Sequence, residues 1–150
     1  MSRSGYSDDG DQWDMIRWRG AVSSAIRGKR GQAFLRDLLA ALDAMPEKRL
    51  VANSFQRDDG CVCTLGALAK VRGIDTKPLE TDYEEADTRR VGEVFGIPGA
   101  LAAEIMFEND DDFDCGARED TPARQEQRWR YMREWVAKRL RDAPERAGGR

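Results

Sequence analysis

Apolar residues recur at helical spacing along most of the chain. Over residues 13–26, Trp13, Ile16, Trp18, Val22, Ala25 and Ile26 mark an amphipathic helix with Gly20 as a weak point. Gly28-Lys29-Arg30-Gly31 interrupts it. Residues 32–45 carry the clearest pattern of the first half: Phe34, Leu35, Leu38, Leu39, Leu42 and Met45 share one face, and Pro46 closes the helix. Leu50-Val51-Ala52 and Cys61-Val62-Cys63 are short strand candidates, and the Asp58-Asp59-Gly60 turn between them predicts a small hairpin. Thr64 is the expected cap of a short helix carrying Leu65, Leu68 and Val71, which Gly73 ends. Beyond a polar segment with Pro78, residues 82–95 read as a helix burying Val91, Val94 and Phe95 and stopped by Gly96. Pro98 then opens a helix with Leu101, Ala102, Ile105 and Met106 inward. Residues 109–120 form an acidic loop. Thr121-Pro122 starts a long last helix with Trp129, Met132, Val136 and Leu140 on one side.

The expected fold class is therefore mostly α: a single compact domain of five or six helices with a minor two-stranded β element. Residues 1–12 are expected to be a flexible tail, 13–143 the helical domain and 144–150 a disordered tail. The length of 150 residues fits one domain. At 40% hydrophobic and 35% charged residues, the chain stays globular with a heavily charged surface.

There is no histidine. Its absence excludes imidazole general bases, Ser-His and Cys-His nucleophile pairs, and histidine-ligated metals. The reading leans away from an enzyme on that ground, with no catalytic residue, no metal and no cofactor assigned. No apolar run approaches a membrane span, and nothing at the N-terminus reads as a signal peptide. Three cysteines, an odd number, argue against a disulfide framework. The expected setting is reducing: the cytoplasm of a bacterial host.

The net charge of −3 conceals segregation. Residues 15–36 hold six cations (Arg17, Arg19, Arg27, Lys29, Arg30, Arg36) and no acid. Residues 104–120 hold eight carboxylates, among them Glu104, Glu108, Asp110, Asp111, Asp112 and Asp114, against Arg118 alone. The last helix is again rich in arginine, including Arg128. Such a chain presents fields of both signs unless folding pairs them internally.

Specific chemistry is sparse. Cys61 and Cys63 alternate around Val62 and would share a strand face, and with Cys115 they would offer three thiolates. Paired Cys-x-x-Cys spacing is missing, and unpaired cysteine is commonly a small buried residue. Cys63 stands before a helix, where the dipole lowers a thiol pKa, which leaves a cysteine-dependent enzyme as a minor alternative. Asp110-x-Asp112-x-Asp114 has the start of a calcium-loop pattern, but Cys115 and Thr121 occupy the positions that need glycine and glutamate. Lys29 and Arg30 ahead of a helix suit a phosphate, without Walker-type spacing. Trp13, Trp18, Trp129 and Trp135 lie among arginines, either as core or as stacking platforms.

Residues 27–35 (Arg-Gly-Lys-Arg-Gly-Gln-Ala-Phe-Leu), residues 41–50, Cys63-Thr64-Leu65-Gly66-Ala67, Glu108-Asn109-Asp110 and the late tryptophan-bearing helix form a recognisable set. Across residues 15–142 the chain resembles a group of small uncharacterised bacteriophage and prophage proteins of GC-rich hosts. The resemblance implies a phage context and supplies no catalytic residues. The leading expectation is a non-enzymatic protein that engages a host protein or nucleoprotein complex, such as an inhibitor of a CRISPR-type defence. Its contact would be an acidic face of Glu104, Glu108, Asp110, Asp111, Asp112 and Asp114 acting as a nucleic-acid mimic. The alternative is a nucleic-acid-binding accessory protein using Arg17, Arg19, Arg27, Lys29, Arg30 and Arg128.

Overall fold

The computed structural model describes residues 4, 12–80, 86–112 and 120–141. Among them lie six α-helices: α1 (Gln12–Arg27), α2 (Lys29–Ala44), α3 (Thr64–Arg72), α4 (Thr88–Phe95), α5 (Gly99–Phe107) and α6 (Pro122–Arg139). A 3-10 turn spans Lys77–Leu79, and a π-helical turn, Glu108–Asp112, continues α5. The mostly helical expectation holds.

α5 is apolar over most of its circumference and buries Leu101, Ala102, Ala103, Ile105 and Met106, so it sits inside the bundle. It packs on α1, α3 and α4, while α2 packs on α1, α3 and α6. Leu35, Leu38 and Leu42 of α2 meet Leu65 and Leu68 of α3 and Met132 and Val136 of α6 in the same core. No helix of the described residues is long and apolar enough to cross a membrane.

The helix ends follow capping chemistry. Gly73 and Gly96 take left-handed φ of 70° and 75° at the ends of α3 and α4. Thr121 Oγ1 accepts from the Arg124 amide, and Pro122 occupies the first helical position. Three expectations need correction. The cap of α3 is Cys63, whose Sγ accepts from the Gly66 amide at 3.4 Å; Thr64 is the first helical residue. α4 begins only at Thr88, capped by the Asp87 carboxylate; residues 82–85 lie outside the described residues. Val71 and Val94, expected inside, are exposed.

The two-stranded element is also corrected. Among the described residues there is no β-strand, and the hairpin reduces to one antiparallel bridge, Gln56↔Val62. Segment 61–63 turns back mainly on 55–57: Arg57 N donates to Cys61 O at 2.8 Å and Cys63 N to Phe55 O at 3.2 Å. The Val51 amide does reach the facing segment, donating to Val62 O at 2.9 Å, but no ladder follows because the neighbouring backbone groups are bonded elsewhere. The Leu50 amide donates to Gln125 O, the Leu50 carbonyl accepts from Arg128, and the Val51 carbonyl accepts from Asn109. Asn53, at φ 66°, then bends the chain away.

Two glycines mark backbone contacts that no side chain allows. A Cβ on Gly31 would lie 1.8 Å from Ala25 O where α2 crosses α1, and one on Gly66 would lie 2.0 Å from Phe55 O.

Candidate polyanion-binding groove

The α1–α2 crossing at Gly31 is locked by Gln32, which is buried. Its Nε2 donates to Ile26 O at 2.8 Å and to Arg139 O at 3.0 Å, and its Oε1 accepts from the Arg141 amide at 2.9 Å. The Arg141 guanidinium also donates to Arg27 O at 3.0 Å. One buried amide thus ties the end of α1, the start of α2 and the end of α6 together.

A groove of about 500 Å³ runs between α1 and α6 beside this junction. Its apolar floor is Trp18, Val22 and Ile26; its rim carries Arg19, Arg27, Lys138 and Arg139, with Ser23 as a hydroxyl and Glu104 as the acid. The cations are partly preset. The Arg139 guanidinium stacks 4.1 Å from the Trp135 ring centroid and donates to Trp135 O, while Arg27 donates to Ser23 Oγ at 2.7 Å. Lys138 meets Glu134 at 3.2 Å in an exposed pair that solvent screens.

Five of the six basic positions expected at an interface, Arg17, Arg19, Arg27, Lys29 and Arg30, are exposed. Arg17 pairs with Asp14 at 2.8 Å. The sixth, Arg128, lies elsewhere: it is 1% exposed and donates to Asn109 O, Leu50 O and Asp120. A side chain so enclosed is a brace between segments and offers nothing to a surface ligand. In the sequence the arginines of the last helix stand out only as a group and Lys138 not at all, since only the fold of α6 against α1 sets Lys138 and Arg139 beside Arg19 and Arg27.

The acidic set scatters. Glu104 walls the basic groove. Glu108 is buried and accepts from the Tyr131 hydroxyl at 2.6 Å. Asp110 is buried and accepts from the Asn53 amide and from Asn109 Nδ2. Asp111 and Asp112 end the π-helical turn, and Asp114 lies outside the described residues. A calcium-loop geometry does not develop at its start, where the backbone stays helical through Asp112.

The hub of this region is Asn109, 1% exposed. Its Oδ1 accepts from Thr64 N at 3.1 Å and Thr64 Oγ1 at 2.8 Å; its Nδ2 donates to Val51 O at 3.0 Å and Asp110 Oδ1 at 2.7 Å. Nearby, the Glu80 carboxylate accepts the Phe55 and Gln56 amides. Neither role was assigned from sequence. A signal existed for Asn109: a polar residue just beyond a largely apolar helix enters a core only with its hydrogen bonds satisfied.

The two described cysteines differ in setting. Cys63 is buried as the α3 cap. Cys61 is more accessible and lines a second cleft, of about 580 Å³, with Met45, Asp59, Ala67 and Lys70. Burial, and then the Asp59 carboxylate beside it, push the Cys61 thiol above its ordinary pKa, opposite to what activation requires. Asp59 itself is held low by the Cys61 amide and by Arg57. Cys115 lies outside the described residues, among which no three His, Cys, Asp or Glu side chains gather as metal ligands.

Compared with protein-family models, curated proteins and solved structures, the chain matches none.

Proposed function

We propose that the chain is a non-enzymatic binding protein that engages nucleic acid through the groove between α1 and α6. The phage context implied by the sequence resemblance would make the partner a host or phage nucleic acid, free or within a nucleoprotein complex. One observation carries this reading: Arg19, Arg27, Lys138 and Arg139 converge on a single groove in which Glu104 is the acid. Lys29 and Arg30 extend the basic surface at the start of α2, and among the described residues neither has an acidic partner. Cations around an apolar floor, Arg19 and Arg27 without an acidic partner among the described residues and Lys138 held only by an exposed pair with Glu134, attract a phosphate backbone and release its condensed counterions on contact.

The test is binding to labelled oligonucleotides by fluorescence anisotropy across a salt series. Four phosphate contacts give a slope of log K against log[salt] of about −3 to −4. The double variant Arg19→Glu/Lys138→Glu, both changes being at exposed positions, should abolish binding and leave the fold intact. Failure to bind any oligonucleotide, or heparin, at low salt refutes the proposal. Capture of a basic host protein that survives this double variant, and is lost when Asp111, Asp112 and Asp114 become Asn, would replace it with charge mimicry.

A further inference from the structure

The outward face of α1 carries apolar side chains that the core does not use. Trp13 is 70% exposed and Ile16 50%. On the helical period Trp13 stands opposite Val22, which is buried, so its exposure is a property of the face. The same face opens further at Gly20, where nothing lies within 4 Å of an added Cβ. Ile16, Ser23 and Arg27 share one stripe of the helix, and Ser23 and Arg27 line the groove. The exposed apolar end is therefore continuous with the basic groove.

We infer that the groove takes single-stranded nucleic acid, with a base stacked on Trp13 and the backbone led along Arg19 and Arg27 toward Lys138 and Arg139. This rests on the function proposed above. A duplex presents phosphates and groove edges and keeps its base faces hidden, so an exposed indole and isoleucine gain nothing from it. A single strand offers those faces, and aromatic platforms beside a cationic track are how they are held without sequence preference. Arg19 and Arg27 lie eight residues apart, about 12 Å along the helix, so they meet phosphates that are not adjacent on one strand. A second copy of the chain is the poorer occupant: beside Asp14 this helix carries Arg17, Arg19 and Arg27, so two such faces repel.

The experiment compares a labelled oligothymidine with a duplex of equal length, using the full chain and its Trp13→Ala and Trp13→Phe variants, each checked for unchanged thermal melting. The single strand should bind at least about tenfold tighter than the duplex, and Trp13→Ala should lose about tenfold on the single strand alone. Trp13→Phe, which keeps a stacking ring, should retain most of the affinity. Equal affinity for both forms with no effect of Trp13→Ala overturns this inference and leaves the groove reading standing. Absence of binding to either form at low salt overturns both. Trp13-dependent sedimentation with phosphatidylglycerol vesicles, in a protein that ignores oligothymidine, would likewise overturn it, the helix then being a membrane-surface element.

Discussion

Replacing Asn109 by Ala tests whether the fold hangs on one buried amide. The substitution leaves three groups without their partner: the Thr64 amide, the Thr64 hydroxyl and the Val51 carbonyl. Thr64 and Val51 are each 0% exposed, so water does not replace the lost bonds without rearrangement. An orphaned buried group costs about 1–3 kcal/mol, and with partial relaxation the three together cost about 3–5 kcal/mol. Against the roughly 5–15 kcal/mol that hold a typical domain together, that is a large fraction. For a domain of this size it lowers the thermal midpoint by about 10–20 °C, measured by far-UV circular dichroism. Thr64→Val removes only the hydroxyl and should cost about 1 kcal/mol, because the Thr64 amide keeps its acceptor. Asn109→Asp exchanges a donor for an acceptor facing Val51 O and the Asp110 carboxylate, and should destabilise at neutral pH and recover in part as the new carboxyl protonates. A midpoint for Asn109→Ala within about 3 °C of the parent, or a Thr64→Val cost equal to that of Asn109→Ala, refutes the reasoning.

Three glycines should respond in opposite directions. Gly31→Ala and Gly66→Ala drive a Cβ against backbone carbonyls at 1.8 and 2.0 Å, and each should destabilise by several kcal/mol or prevent folding, read by urea denaturation. Gly20→Ala, mid-helix and unobstructed, should stabilise by about 0.5–1 kcal/mol. For the accessible thiol, the pH profile of iodoacetamide labelling at Cys61 should inflect above that of a free thiol, because burial and Asp59 favour the protonated form. Asp59→Asn removes the carboxylate and should shift the inflection down. A Cys61 inflection below the ordinary thiol value would refute the assigned environment and reopen the cysteine-dependent enzyme.

The helices were legible because their apolar spacing, their glycine stops and the Thr121-Pro122 start are local signals, each read within one or two turns. What failed depended on distant partners. Residues 50–52 have strand-like composition, yet beyond the one bond from the Val51 amide to Val62 O their backbone bonds to Gln125, Arg128 and Asn109, all from the second half of the chain. Thr64 has a capping side chain, but its hydroxyl goes to Asn109, so Cys63 takes the cap. Arg128 and Asp110 read as surface charge because sequence counts charges and cannot tell which are enclosed. The motifs singled out in the sequence are largely accounted for by the fold: Gly31 and Gly66 permit backbone contact, Gln32 joins three helices, and Asn109 organises the polar core. Within the first of them, Lys29 and Arg30 are the residues whose side chains no internal contact explains.

That remainder decides between the two fields of charge. Arginines outside the 15–36 run meet acids: Arg133 pairs with Asp43 at 2.6 Å and Arg49 with Glu126 across the fold, and Arg128 pairs with the nearby Asp120. Arg57 joins them from the 55–57 segment, bonded to both Asp59 and Asp120. Much of the described acidic surface is thus already matched by cations of the same molecule. The cations of residues 15–36 are different. Apart from Arg17 with Asp14, none has an acidic partner among the described residues, although Asp37 lies one residue beyond and pairs instead with Arg72. A chain with net charge −3 has enough carboxylates to neutralise that surface, and among the described residues the acids that form ion pairs, Asp14 apart, meet other cations. Leaving Arg19 and Arg27 without acidic partners among the described residues at one groove raises the local positive potential, which is unfavourable for the isolated protein and favourable when a polyanion arrives. The uneven pairing, rather than the total charge, is what makes this groove the place to look for a partner.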